Sequence, residues 1–242
     1  MKRRSKVRRI VIFISLILFP LTLNFFSPYV SITGAMSGIV SGSVLLFASL
    51  FIIGIFFRRA WCSYVCPVAA ISDYSEKINN KNVNRKRLTI IRYSIFTIWF
   101  SVLILSFVLA GGIKSFQPLY LTENGVSVDM PIKYITYYMV LGILILLTWI
   151  LGKRGACYSI CWMSPFLVAG AWVGKKLHLP QYQVMAESSK CIDCSQCNKV
   201  CPMSINVMAE LKKGRISTSD CINCGQCEEI CPKQVLDVKF HH

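Results

Sequence analysis

The sequence predicts an α-helical membrane protein. Residues 1–180 read as four transmembrane helices in two repeated hairpins, and residues 181–242 as a small cysteine-rich α+β domain. Three observations carry this. Of the 242 residues, 54% are hydrophobic and only 16% charged, with a mean hydropathy of +0.52, too apolar for an ordinary soluble domain. Uncharged runs long enough to cross hydrocarbon alternate with basic loops. Eight of the 12 cysteines fall between Cys191 and Cys231.

The first apolar run, Ile10 to Phe26, follows the basic stretch MKRRSKVRR. A basic start and an apolar core also describe a signal peptide, but no convincing small-residue cleavage site follows, so an uncleaved first span is expected. Gly38 to Phe57 is twenty uncharged residues, enough for about 30 Å of hydrocarbon, and Arg58 and Arg59 end it. Tyr93 to Ile113 and Tyr134 to Leu151 are the third and fourth spans, the latter closed by Lys153 and Arg154. Pro165 to Gly174 is apolar but too short to cross, so it is expected at the interface or packed on the bundle. His178 is read as solvated or lipid-facing, and His241 and His242 are given no role.

The formal net charge of +16 could indicate a nucleic-acid partner, but its distribution excludes that reading. Residues 191–242 hold six Lys/Arg against six Asp/Glu, so the excess lies beside the apolar runs, as in the cytoplasmic loops of membrane proteins. The N-terminal tail and the middle loop (Arg58, Arg59, Lys77, Lys81, Arg85, Lys86, Arg87, Arg92) carry fourteen basic residues together. The outer connection has only Lys114 and Lys133 against Glu123 and Asp129, with turn residues Pro118, Gly125 and Pro131. The positive-inside rule therefore expects a multi-pass protein of the cell membrane with both termini cytoplasmic, in contact with membrane lipids.

Cys191, Cys194, Cys197 and Cys201 precede Pro202, and Cys221, Cys224, Cys227 and Cys231 precede Pro232. Each half reads C-x2-C-x2-C-x3-C-P. Zinc sites favour separated C-x2-C pairs, and disulfides need an oxidising compartment. Three thiolates in one tight loop instead suit three irons of a cubane, while the fourth, past a turn into a short helix, reaches the other cubane. The expected ligand sets are crossed: Cys191, Cys194, Cys197 and Cys231 for one [4Fe–4S] cluster; Cys201, Cys221, Cys224 and Cys227 for the other. Residues 186–240 thus resemble bacterial-type 2[4Fe-4S] ferredoxins.

A second constellation repeats at the ends of the even-numbered spans. Arg58-Arg59-Ala60-Trp61 leads to Cys62 and Cys66, and Lys153-Arg154-Gly155-Ala156 leads to Cys157 and Cys161. Two basic residues, two spacers and C-x3-C occur twice. Repeats related by an axis along the membrane normal would bring the four thiols to one place at the cytoplasmic boundary. Three readings stay open: inert packing, a third metal or iron–sulfur centre, or redox-active dithiols with thiol pKa lowered by nearby cations.

Four spans, two C-x3-C motifs and a C-terminal double-cluster domain resemble the NapH-type membrane iron–sulfur proteins. These include quinol-dehydrogenase membrane subunits and related parts of nitrous-oxide regulators and cytochrome-oxidase assembly proteins. The motif C-x3-C-P is matched at Cys62, Cys66 and Pro67, whereas Trp162 follows Cys161 and the nearest proline is Pro165. The resemblance implies oxidation of a membrane quinol and delivery of electrons to a redox partner protein or complex subunit. No residue stands out as a quinone ligand, and the spans hold no Asp, Glu or His, which favours a relay within a complex. Two other functions remain open: a respiratory-complex assembly or copper-reducing factor, because thiolates suit Cu(I), and a membrane-anchored cluster sensor.

Overall fold

The computed structural model describes residues 3–75, 79–122, 126–128 and 130–241. Lys77, Glu123, Gly125, Asp129 and His242 lie outside the described residues. The first apolar run folds as α1 (Arg3–Ile17) and α2 (Phe19–Thr22), continued by a 3-10 turn to Phe26. Pro20 opens α2, where its missing N–H is harmless, and the two parts meet at 61°. The connection after the first run forms α3 (Pro28–Met36), and the second run, Gly38 to Phe57, divides into β1 (Ile39–Ser41) and α4 (Gly42–Phe57). Two short helices follow, α5 (Trp61–Tyr64) and α6 (Pro67–Ser75).

The third run is α7 (Arg85–Leu109), capped by Asn84, whose Oδ1 accepts from the Arg87 N–H at 3.3 Å. β2 (Ser115–Gln117) pairs in parallel with β1, Ile39 opposite Ser115. α8 (Pro131–Leu151) starts on proline at the position that tolerates it. α7 and α8 are long and apolar enough to cross a membrane, and the bent α1–α2 segment is a third such stretch if counted as one. α4 is apolar but shorter: 16 residues at 1.5 Å rise reach about 24 Å. Ile90, Ile98, Val108, Ile135 and Tyr138 point outward from α7 and α8, an apolar exterior that suits lipid.

The chain then re-enters the bundle twice. Arg58 (φ 53°) reverses it after α4, and Gly152 (φ 102°) with Arg154 (φ 48°) reverses it after α8. In the first segment Val65 O accepts from Ser15 of α1, and Cys66 is buried beside Phe47, Leu50 and Trp99. The second holds α9 (Gly155–Ser159) and α10 (Ser164–Lys176). Phe166 stacks on Phe47, Gly170 meets Phe51 O and Gly174 meets Ile55 O, so α10 runs parallel to α4. Phe47 lies ten residues before the end of α4, about 15 Å along its axis. The start of α10 is therefore sunk well into the bundle, which answers where the short apolar stretch goes.

Glycine makes this close pairing work. A Cβ at Gly170 would sit 2.1 Å from Phe51 O, and one at Gly54 2.6 Å from Leu167 O; small residues permit such backbone approach between membrane helices. Gly170→Val should separate α10 from α4 and destabilise the helical domain by about 1–3 kcal/mol or more. Thermal unfolding in detergent checks this, with Gly142→Val as the control, since nothing lies within 4 Å of a Cβ there.

The C-terminal part closes on an antiparallel pair, β3 (Gln181–Ala186) with β4 (Leu236–His241), Gln181 opposite His241. Between them lie α11 (Gln196–Lys199), α12 (Val207–Leu211) and α13 (Gln226–Ile230). Val184, Met203, Ile205, Ile216, Ile222 and Leu236 form its buried core.

Candidate metal centres

The two cysteine runs fold as equivalent loops thirty residues apart. Asp193 and Asn223, Ser195 and Gly225, and Ser204 and Gln234 all take positive φ, between 48° and 76°. These left-handed residues curl each loop and turn successive N–H groups inward, a backbone nest for an anionic group. α11 and α13 carry Cys197 and Cys227.

The loops enclose two small cavities. Cys191, Cys194, Cys197 and Cys231 line the first, with Ile192, Met208 and Leu236. Cys201, Cys221, Cys224 and Cys227 line the second, with Val184, Met203, Ile205 and Ile222. Each cavity thus gathers three thiols of one run and the last of the other. Cys227 is in electrostatic reach of Cys197 as well as of its own set, so the cavities are neighbours.

The donor chemistry fits iron–sulfur clusters. Burial pushes Cys201 up to about 12, with Cys224 adding to it. Burial likewise pushes Cys221 up to about 11, against a backbone hydrogen bond at Asn223. Four thiolates in one dry cavity need cationic metal to hold them ionised. Among the described residues, no three Cys, His, Asp or Glu groups converge as a single metal ion requires.

The C-x3-C cysteines also come together. Cys62, Cys66, Cys157 and Cys161 lie in mutual electrostatic reach, and Ser72 Oγ is 3.7 Å from Cys157 Sγ. The four cysteines lie on the segments that follow the chain reversals after α4 and α8, with Cys66 buried in the core of the helical bundle. Pro67 opens α6 directly after Cys66. Pro165 is at the first turn of α10, so both returning helices begin on proline despite Trp162. Backbone hydrogen bonds at Val68 and Ser164, in those first turns, reach Cys66 and Cys161. Cys62 packs against both the bundle core and the C-terminal core.

The basic residues before each motif are buried, and Arg58, Arg59 and Lys153 tie the two parts together. Arg58, Arg59, Lys153 and Arg154 are 7%, 2%, 2% and 0% exposed. Arg58 donates to Ile216 O (3.2 Å), Ser217 O (3.1 Å) and Thr218 O (3.2 Å). Arg59 donates to Ser219 O at 3.3 Å, and Lys153 to Lys199 O at 2.7 Å. Arg154 donates to Cys62 O at 3.2 Å and pairs with Asp73, which also binds Arg8 at 2.9 Å. Tyr158 donates to Met203 O (2.7 Å), and Ser63 to Ile222 O (2.8 Å). Arg4 pairs with Glu228. Sequence reasoning did not single out Asp73, Asp220, Ser63 or Tyr158. The signal for the site was the repeated basic pair, read as a topology marker and as cations beside the thiols, not as ties to the C-terminal part.

A cavity of about 600 Å³ runs between residues 19–30 and α8. Its wall is mostly apolar, with Phe19, Phe26, Val140 and Leu144, and it includes Asn24, Lys133, Cys161 and Trp162. Trp162 Nε1 donates to Phe26 O at 3.1 Å, fixing the ring there.

Comparison with known proteins agrees with this geometry. Residues 183–232 match the family described as "4Fe-4S dicluster domain", and residues 40–86 match "4Fe-4S binding domain". The chain is 26% identical over 190 residues to the putative electron transport protein YccM of Escherichia coli, covering 74% of this chain and 51% of YccM. It is 26% identical over 181 residues to the methylamine utilization ferredoxin-type protein MauN of Methylobacillus flagellatus, covering 72% of this chain and 60% of MauN. The chain therefore spans between half and three-fifths of the length of these curated relatives. No solved structure matches it. The chain carries 4Fe-4S ferredoxin-type domains and is a distant homologue of YccM and MauN.

Proposed function

We propose that this chain is a membrane-anchored iron–sulfur protein that relays electrons between the quinone pool and a redox partner protein. In this reading it crosses the membrane four times, with α4 and the bent α1–α2 segment joining α7 and α8, and both termini are cytoplasmic. Cys191, Cys194, Cys197 and Cys231 hold one [4Fe–4S] cluster, and Cys201, Cys221, Cys224 and Cys227 hold the other. Cys62, Cys66, Cys157 and Cys161 hold a third. The family match over residues 40–86 contains only Cys62 and Cys66; a cluster needs four ligands, and Cys157 and Cys161 are the thiols beside them. Bound clusters supply one-electron transfer; the protein supplies spacing, burial and charge.

The observation that carries the reading is the cavity whose wall contains Cys161. It is large and apolar enough for a quinone ring, and Asn24 and Lys133 offer polar atoms in the same wall. A ring held there lies against a ligand of the buried centre. From that centre the order is Cys62, which packs on the C-terminal core, then the cavity of Cys201 and Cys221, then that of Cys191. Cys194 in the last set is exposed, which suits exchange with a partner.

Iron and sulfide analysis with redox-titrated EPR on the anaerobically purified protein tests this. About twelve irons per chain are expected, four for each cubane. A quinol analogue should reduce them in intact protein. Two zinc ions and no iron would end the cluster reading; clusters inert to quinols would end the quinone step alone.

A further inference from the structure

Arg59 faces two thiol sets at once. It lies between α4 and α5 and is 2% exposed. On one side its backbone O accepts from Cys62 N–H at 3.0 Å, and its guanidinium is within electrostatic reach of the Cys62 and Cys161 thiols. On the other it donates to Ser219 O and lies 3.6 Å from Asp220 Oδ1. Asp220 directly precedes Cys221, whose thiol is also in reach of Arg58 and Arg59.

The charges around Asp220 do not balance. Arg85 approaches its carboxylate at 2.7 Å and Arg92 at 3.7 Å, in addition to Arg59. Arg92 is 1% exposed and rests on the Tyr93 and Tyr158 rings. Arg59 Nε, all three Arg92 nitrogens and Asp220 Oδ1 make no hydrogen bond. Three guanidiniums thus face one carboxylate. Around the Cys191 set the neighbouring charges are different in kind: Lys190 pairs with Glu187 at the surface, and Asp193 is exposed.

A fixed cation in a poorly screened interior stabilises an added electron nearby. Arginine keeps its charge at any working pH, so its effect does not titrate away. We propose that Arg59 is a positioning residue for electron transfer, its charge shared between the Cys62–Cys161 set and the Cys221 set. It raises the reduction potentials of both centres and leaves the Cys191 set unaffected. An electron crossing from one centre to the other stays beside the same guanidinium, so the step needs little charge rearrangement. This rests on the reading that these thiol sets hold clusters.

The experiment is a dithionite redox titration by EPR on the full chain, purified anaerobically. Cys194→Ser identifies the signal of the Cys191 set. Arg59→Met should shift the reduction equilibrium of the Cys221 set about tenfold toward the oxidised form, ~59 mV for a one-electron couple. Arg59→Lys should restore most of it. Asp220→Asn, which removes the opposing charge at constant shape, should shift the same signal the other way. The Cys191 signal should stay in place in all three. Equal shifts of both ferredoxin signals, or no shift in Arg59→Met and Asp220→Asn, would overturn the proposal while the cluster reading stands. If Arg59→Met does not fold, the opposite-signed Asp220→Asn shift and the neutral Arg59→Lys decide it. Wild-type protein without iron and sulfide would remove the cluster reading instead.

Discussion

Replacing Cys62 or Cys157 with serine is expected to abolish quinol-linked reduction and to leave both C-terminal EPR signals in place. The two residues lie in different short helices, α5 and α9, in different halves of the repeat, yet their thiols lie in electrostatic reach of each other. If they are ligands of one centre, losing either removes the same step, and the two variants behave alike. Serine keeps the shape of cysteine but is a poor ligand for a soft metal. The eight cysteines of the C-terminal part do not change, so dithionite should still reduce their centres. Stopped-flow reduction by a quinol analogue, with EPR of the same samples, reads both results. Unequal effects of the two variants, or intact quinol reduction in both, would separate the pairs and return them to packing.

The second large effect is on stability. Asp73→Ala should destabilise the protein by about 3–5 kcal/mol, because it leaves buried cations without their partner. Arg154 and Arg8 both bind Asp73 and are 0% and 3% exposed. Arg154 also holds Cys62 O, so the loss should reach the C-x3-C site and loosen the contact between the two parts. Chemical denaturation in detergent measures the first effect, and protease sensitivity near residue 180 the second. Asp237→Ala, at an exposed carboxylate paired only with Lys239 on the surface, is the control and should lie within about 0.5 kcal/mol of wild type.

The elements that were legible in the sequence had a strict spacing behind them. The C-x2-C-x2-C-x3-C runs allow few loop geometries, and the structure gathers the same two sets of four thiols that the spacing predicts. Uncharged runs located α4, α7 and α8, since such runs leave the backbone little choice but a helix in lipid. Which of its two expected places α10 takes, at the interface or packed on the bundle, was not legible, because so short a segment carries the same composition in both. Nor was the burial of Arg58, Arg59, Lys153 and Arg154. Basic residues beside an apolar run ordinarily mark the cytoplasmic side, and only the fold reveals carbonyls from residues 199–219 waiting for Arg58, Arg59 and Lys153, and Cys62 O and Asp73 waiting for Arg154. Asp73 and Asp220 were hidden for the same reason, since their partners come from distant parts of the chain.

The ties from Arg58 span 125 to 160 positions of sequence. Contacts between such distant positions form late, after the loops they close have been ordered. The C-terminal part is also synthesised after the helical part, so the helices are made before it. Once docked, it covers the Cys221 side with the bundle, where Arg58 and Ser63 grip the backbone on either side of that cysteine. In the proposed reading, iron delivery to this face comes before docking, while the C-terminal part is still free of the helical part, so that it is loaded first and locked down second.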